Sequence, residues 1–262
     1  MLKGYDEASA RRVERQYSTP DIVEQRRVTL EALALRAGER VLDIGVGPGY
    51  LALEMAHAVG ATGKVCGIDR SEVMLGLASK RCAGVDRIEL RAGDAARLPF
   101  DDASFDAAAA VQVYLFVGDV DAALAELHRV LRPGGRAVVV DTDWGTCAWN
   151  SADPQRMKRM VAAWTTRFAH AHLPRSLPGK LRRAGFRLER VQAVPLVNTH
   201  PGRDTYSGPL IPEVAKFAAG RNGITPEEAA AWEAELVRLA EAGEYFFSLN
   251  RYVFLVGKPP AR

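Results

Sequence analysis

The stretch Val41-Leu42-Asp43-Ile44-Gly45-Val46-Gly47-Pro48-Gly49 constrains this chain more than any other. A short apolar run carries one acid and ends in three glycines at alternate positions. Tyr50-Leu51-Ala52-Leu53-Glu54-Met55-Ala56 then has the pattern of a helix. Strand, glycine turn and helix start form the layout of a nucleotide-binding βα unit. Without Cβ atoms the turn can take positive φ and let backbone approach a ligand closely. The helix start adds free N–H groups and the positive end of a dipole.

The spacing narrows the ligand. A dinucleotide fingerprint reads G-x-G-x-x-G; here it is G-x-G-x-G, with Asp43 two residues before Gly45. An acid so close to the turn is a poor neighbour for a pyrophosphate and a good one for an ammonium group. The alternative is a tight turn in some other α/β protein.

A second strand, Lys64 to Ile68, ends at Asp69, 24 residues after Gly45. In doubly wound folds a carboxylate there meets two ribose hydroxyls, though it can also cap the helix that begins near Ser71. The aliphatic stem of Arg70 is suited to lie on an adenine face. The helix from Ser71 to Cys82 carries Val73, Met74, Leu77 and Ala78 on one side. After a third strand, Arg87 to Arg91, comes Gly93-Asp94-Ala95. An acid in that loop can accept from an adenine amino group or simply be solvated. Phe105-Asp106 opens a fourth strand, Ala107 to Val113, apolar enough to be buried on both faces. Gln112, Tyr114 and Phe116 fall at or just past its end, where ligands sit in open α/β sheets. A helix from Asp119 to Val130, the turn Leu131-Arg132-Pro133-Gly134-Gly135 and a fifth strand, Arg136 to Val140, ending at Asp141, complete this region.

Taken together and in order, Asp43 with Gly45, Gly47 and Gly49, then Asp69, Gly93-Asp94, Phe105-Asp106 and the turn from Val130 to Gly135 make residues 38–145 resemble class I S-adenosylmethionine-dependent methyltransferases. The resemblance is to their small-molecule branch, which includes the ubiquinone and menaquinone C-methyltransferases. It covers somewhat under half of the chain. It implies an α/β fold with a doubly wound, seven-stranded, mostly parallel sheet, and S-adenosylmethionine as cofactor. By that resemblance Asp43 and the glycine turn would hold the methionine part, Asp69 the ribose and Asp94 the adenine. Arg70, Met74, Gly93, Ala95 and Gln112 would complete the cofactor site. Two departures stand out. Many relatives carry histidine just after strand four, where this chain has Leu115-Phe116. The Asn-Pro-Pro-Tyr signature of enzymes that methylate DNA bases is also missing.

The flanking segments suggest a division of labour. Residues 1–37 read as an N-terminal helical lid, 38–198 as the cofactor-binding core, 199–243 as a helical cap and 244–262 as the last strand. Residues 5–35 read as helices, with Pro20 in a first-turn position. Tyr17, just upstream, is placed either to fold over the cofactor or to pack as an ordinary core tyrosine. Downstream, Asp153 to Ala171 reads as a basic helix, Lys180 to Ala184 as a short helix, and Leu188 to Asn198 and Tyr245 to Gly257 as an antiparallel pair. About forty-five residues separate that pair, too many for a hairpin turn. They would either cover the ligand end of the sheet or pack on its outer face, with a helix from Thr225 to Ala242.

Methyl transfer from a sulfonium needs alignment and exclusion of water more than a fixed triad. Tyr114 and His170 are the catalytic candidates, with His172 beside His170. Trp144, Arg167 and Tyr206 are the candidates for substrate contact. The aromatic residues Trp144, Trp164 and Phe168 suggest an apolar, aromatic or polycyclic small-molecule substrate. His57 and His128 sit in core helices and read as structural. Net charge is only +3, weak support for a nucleic-acid partner. The apolar runs are too short for a membrane span, and Met1 to Gln16 lacks a secretory h-region. The three cysteines form no metal-binding pattern and suit a reducing cytoplasm. A monomer or homodimer is expected. The competing readings are an RNA or protein methyltransferase, a nicotinamide-dependent oxidoreductase, and a non-catalytic cofactor-binding module.

Overall fold

The computed structural model describes residues 13–261. Its strands are β1 (Arg40–Ile44), β2 (Lys64–Asp69), β3 (Ile88–Ala92), β4 (Phe105–Val111), β5 (Leu131–Trp149), β6 (Arg187–Asn198) and β7 (Phe247–Gly257). Its α-helices are α1 (Pro20–Leu33), α2 (Tyr50–Val59), α3 (Glu72–Arg81), α4 (Val120–Val130), α5 (Pro154–Thr165), α6 (Leu177–Arg183), α7 (Ser207–Ala218) and α8 (Pro226–Glu241). One seven-stranded sheet runs in the order β3-β2-β1-β4-β5-β7-β6. The first five strands pair in parallel, and β7 inserts antiparallel between β5 and β6. The order reverses between β1 and β4, which opens the crevice where doubly wound folds bind ligands.

Local chemistry explains why these segments hold. Ala107 to Ala110 on β4 and Ala137 to Val140 on β5 are buried on both faces, as central parallel strands require. Pro20 opens α1 after Thr19. The Ser71 hydroxyl caps α3 at Met74 N, Asp119 caps α4, and Thr225 with Glu228 forms a capping box on α8.

Three apolar cores result. Helices α1, α2 and α3 cover one face of the sheet through Val28, Leu33, Met55 and Ala78. Helices α4 and α6 cover the other through Leu124, Leu127, Leu177 and Leu181. The third core joins α5, α7 and α8 to Ile22 of α1 and to the ends of β5, β6 and β7. Its centre is Trp232, fully buried and edge-on to Trp149 at 5.5 Å. Residues 207–241 therefore sit at the end where the parallel strands finish.

Several expectations need correction. The fifth strand does not stop at Asp141; pairing with β7 carries it to Trp149, with an irregularity after Asp143. The basic helix ends at Thr165, because Thr166 and Phe168 close turns onto Ala163 and Thr165. Arg167 and His170 consequently lie in the following turn, off the helix. The short helix runs from Leu177 to Arg183, earlier than expected, with Pro178 in its first turn. The part of the lid before residue 13 lies outside the described residues.

Candidate active site

The glycine turn is held from three sides. A Cβ on Gly45 (φ +72°) would stand 2.4 Å from Val113 Cγ2, and one on Gly49 (φ +83°) would stand 2.9 Å from Ala78 Cα. Both positions therefore exclude a side chain by conformation and by space. From β2, Asp69 Oδ2 accepts the Gly47 N–H at 3.0 Å, and Oδ1 accepts the Ser71 N–H at 2.9 Å. The cap of α3 belongs to Ser71, so Asp69 serves the turn. Each of its oxygens keeps a further lone pair for a hydroxyl donor.

Beneath the turn lies Asp43, 2% exposed, with Oδ2 lacking any hydrogen-bond partner among the described residues. Burial, with a further push from the Asp69 charge, raises its carboxyl to about 8. The Val46, Gly47 and Gly49 N–H groups are already taken, by Ile68, Asp69 and Val46, so a fitting ligand brings a cationic group to the unpartnered oxygen of Asp43 and any acceptor to the N–H groups that open α2. S-adenosylmethionine has that chemistry.

The other expected cofactor residues follow the strand ends. Asp94, just past β3, accepts the Ala96 N–H at 2.9 Å and lies 3.7 Å from the Arg70 guanidinium. Arg70 is exposed, whereas Met74 and Ala95 are buried. Gly93 N–H donates to the Asp69 carbonyl at 3.1 Å. Gln112 follows β4 at φ +58°, a conformation costing about 1–3 kcal/mol in a non-glycine residue. Its N–H donates to the Val140 carbonyl at 2.7 Å, and its Oε1 accepts from Thr142 Oγ1 at 2.6 Å.

Tyr17 stands over the turn: a Cβ on Gly47 would meet its hydroxyl at 3.3 Å. Its ring stacks on Tyr50 at 5.9 Å, and Arg81 lies 3.5 Å over the other ring. Arg81 bonds both the Pro48 carbonyl (2.8 Å) and Glu14 (2.7 Å), while Arg26 donates to the Tyr17 carbonyl at 2.5 Å. These contacts hold residues 14–18 against the turn.

The catalytic candidates separate. Tyr114 is wholly buried in the core facing α4, and burial, with the Asp141 carboxyl nearby, keeps its hydroxyl protonated far above the usual range. It can donate a proton to a hydrogen bond but cannot be a base near neutral pH. Asp141 is also fully buried, with neither carboxyl oxygen hydrogen-bonded among the described residues; burial raises its carboxyl well above the usual range despite the Arg251 charge. His170 lies in a loop whose N–H donates to the Leu115 carbonyl at 3.0 Å, with Nε2 3.3 Å from the Gly118 carbonyl. His172 pairs through Nδ1 with Asp143 at 2.9 Å, and Arg175 holds the other oxygen at 2.7 Å. Burial pushes Asp143 up, but these partners outweigh it and hold the carboxyl below its usual range.

Of the substrate candidates, Trp144 and Arg167 come together. Trp144 stacks on Phe168 at 5.1 Å, and Arg167 lies 4.2 Å over Trp164, edge-on to Trp144. Tyr206 shares their core but touches different partners, Phe247 and the guanidinium of Arg251. Arg251 and Gln25 carry no motif that marks them in the sequence; they meet only through the fold.

Residues 41–135 match the family described as methyltransferase domain. The chain is 38% identical over 121 residues to demethylmenaquinone methyltransferase of Staphylococcus aureus, covering 46% of this chain and 50% of that protein. The chain spans half or less of the length of the curated relatives it matches. Among solved structures, the (4+2)-cyclase SpnF aligns over 99% of this chain and 85% of its own, at 25% identity and a TM-score of 0.60. Geranyl diphosphate C-methyltransferase from Streptomyces coelicolor, solved with S-adenosyl-L-homocysteine, shares the fold of the domain and its flanking helices. It covers 90% of this chain and 76% of its own at 16% identity, with a TM-score of 0.57.

Proposed function

We propose that this protein is an S-adenosylmethionine-dependent methyltransferase acting on a small molecule. The observation that carries the reading is Asp43, buried and unpartnered beneath a glycine turn that admits no side chain at Gly45 or Gly49. Asp43, Gly45, Gly47 and Gly49 would hold the methionine part of the cofactor, and Asp69 the ribose. Asp94 and Arg70 would hold the adenine, with Met74, Gly93, Ala95 and Gln112 forming walls and Tyr17 the cover. When bound, S-adenosylmethionine would supply an electrophilic methyl carbon for in-line displacement.

What the chain adds is placement. Oriented reactants can gain about 7–11 kcal/mol over free encounter. The lid at residues 14–18 and the cap at residues 199–243 would exclude water. Trp144, Arg167 and Tyr206 would border an apolar, aromatic or polycyclic acceptor, with His170 as the candidate proton acceptor and Tyr114 as a buried support. The whole protein would act in the cytoplasm as a monomer or homodimer.

The test is transfer of label from methyl-labelled S-adenosylmethionine to a panel of hydroxylated and carboxylated aromatic acceptors. Label in at least one acceptor, lost in Asp43→Ala, is expected. Tight cofactor binding with no transfer to any acceptor would favour the non-catalytic module instead.

A further inference from the structure

The buried face of the sheet beyond β5 holds a cation that methyl transfer by itself does not require. Arg251, on β7, is 6% exposed. One terminal nitrogen donates to Gln25 Oε1 on α1, and the guanidinium lies 4.9 Å over the ring of Tyr206, at the start of α7. Its Nε has no hydrogen-bond partner, and no carboxylate forms an ion pair with it among the described residues.

A guanidinium taken out of water loses several kcal/mol of hydration, which is ordinarily offset by a paired acid. The acid that acts on it electrostatically, Asp141, is itself held toward its neutral form by burial. Asp21, near Tyr206, already accepts from the Tyr206 N–H (2.9 Å) and from Asn198. Gln25 and Tyr206 orient the charge without neutralising it.

The position of Arg251 matters as much as its charge. It pairs with Thr142 of β5, whose hydroxyl bonds Gln112 at the end of β4. It thus lies on the ligand side of the sheet, between α1, α7 and the end of β5. A cleft of about 560 Å³ opens between residues 14–19, Tyr50 and the loop before α7. Thr19, which precedes α1, lines it, as does Asp204, two residues before Tyr206; Arg251, Gln25 and Tyr206 themselves are not in its lining. The cleft carries Arg15 and Arg203, while of its acids Glu14 is paired with Arg81 and Asp204 stands 3.9 Å from His200.

We propose that Arg251 is the anion-binding residue of the acceptor pocket, and that the molecule methylated here carries an oxyanion, a carboxylate or phosphate, that this guanidinium receives. This rests on the methyltransferase reading for the word acceptor, but the binding test does not depend on turnover. Arginine suits the task because its planar fork matches a carboxylate or phosphate in two bonds.

The test uses the full chain, with benzoate and inorganic phosphate as probes and benzamide as the neutral counterpart of benzoate, in thermal shift and calorimetry. Benzoate or phosphate should stabilise the wild type more than benzamide does, and Arg251→Met should weaken that binding about tenfold or more. Arg251→Lys should keep part of it. Because the unliganded site buries a charge without an acid, Arg251→Met should leave the unliganded melting temperature unchanged or raised. Affinity for S-adenosylhomocysteine should be the same in wild type and Arg251→Met. A fall of more than about 5 °C in Arg251→Met, with the benzoate response intact, would make Arg251 structural and overturn the proposal. It is equally overturned if neither probe outdoes benzamide on the wild type. Loss of S-adenosylhomocysteine affinity in Arg251→Met would assign the guanidinium to the cofactor's own carboxylate, also against the proposal. Failure of the wild type to bind S-adenosylhomocysteine would instead strike the methyltransferase reading.

Discussion

The Asp69 carboxylate accepts the Gly47 N–H at 3.0 Å, tying the end of β2 to the turn after β1. One side chain thereby shapes the turn and, in the proposed function, also receives the ribose. Asp69→Ala should lower cofactor affinity at least tenfold. It should also cost about 1–3 kcal/mol in stability, because the Gly47 and Ser71 amides both lose their acceptor. Asp69→Asn keeps one acceptor oxygen but sets an NH2 against the other N–H, so it should recover only part of the stability and little of the affinity. Denaturant titration read beside calorimetry separates the two effects.

Gly45→Ala should lose cofactor binding through both strain and contact. The residue holds φ +72°, and a Cβ would stand 2.4 Å from Val113 Cγ2. We expect a stability loss of about 1–3 kcal/mol. Adding Val113→Ala should recover the contact part but not the backbone part. If the double variant is no more stable than Gly45→Ala, the contact is not the cause.

Asp43 gives a pH signature. Its folded-state carboxyl titrates at about 8, above the ordinary value near 4 of an unfolded chain. The folded state then binds the proton more tightly, so this residue's contribution to stability is complete below about pH 4 and is lost as pH rises toward 8. Asp43→Asn should flatten that part of the stability–pH curve for the unliganded protein. A ligand ammonium should restore the ionised form, so cofactor binding at pH 7 should release close to one proton in the wild type and none in Asp43→Asn. Calorimetry in buffers of different ionisation enthalpy measures the difference.

Much of this was legible in the sequence, and the reasons are local. Strands β1, β2 and β4 are apolar runs buried on both faces, and the glycine turn marks its own place. The order Asp43, Asp69, Asp94 follows from each acid lying in or just after its strand. What stayed hidden depends on distant partners. Gln25 and Arg251 are 226 positions apart, and Asp21 and Tyr206 are 185 apart. No periodicity joins such pairs. Gln112 in a left-handed conformation was equally unreadable, because glutamine carries no signal for it. The long β5 was missed because Pro133, Gly134 and Gly135 mimic a plain turn, while pairing with β7 was needed to draw the strand on past Asp141.

The proposed cap, residues 199–243, has no core of its own. Trp232, Leu210 and Val214 share one with Trp149, Trp164 and Phe247, so excising residues 199–243 would uncover the sheet end as well. Asp21→Ala is the cleaner probe. Asp21 joins α1 to the loop before α7 through the Tyr206 N–H and Asn198 Nδ2. Its removal should cost about 1–2 kcal/mol and raise hydrogen exchange in residues 13–20 and 199–212 together. Independent exchange in the two segments would mean that lid and cap do not move as a pair.

The most direct measurement is a calorimetric titration of the full chain with S-adenosylhomocysteine, S-adenosylmethionine and NAD(P). One site per chain is expected for each sulfur ligand, with competition between them, loss of both in Asp43→Ala, and no heat with NAD(P). Tight binding of NAD(P) with no response to either sulfur ligand would contradict it.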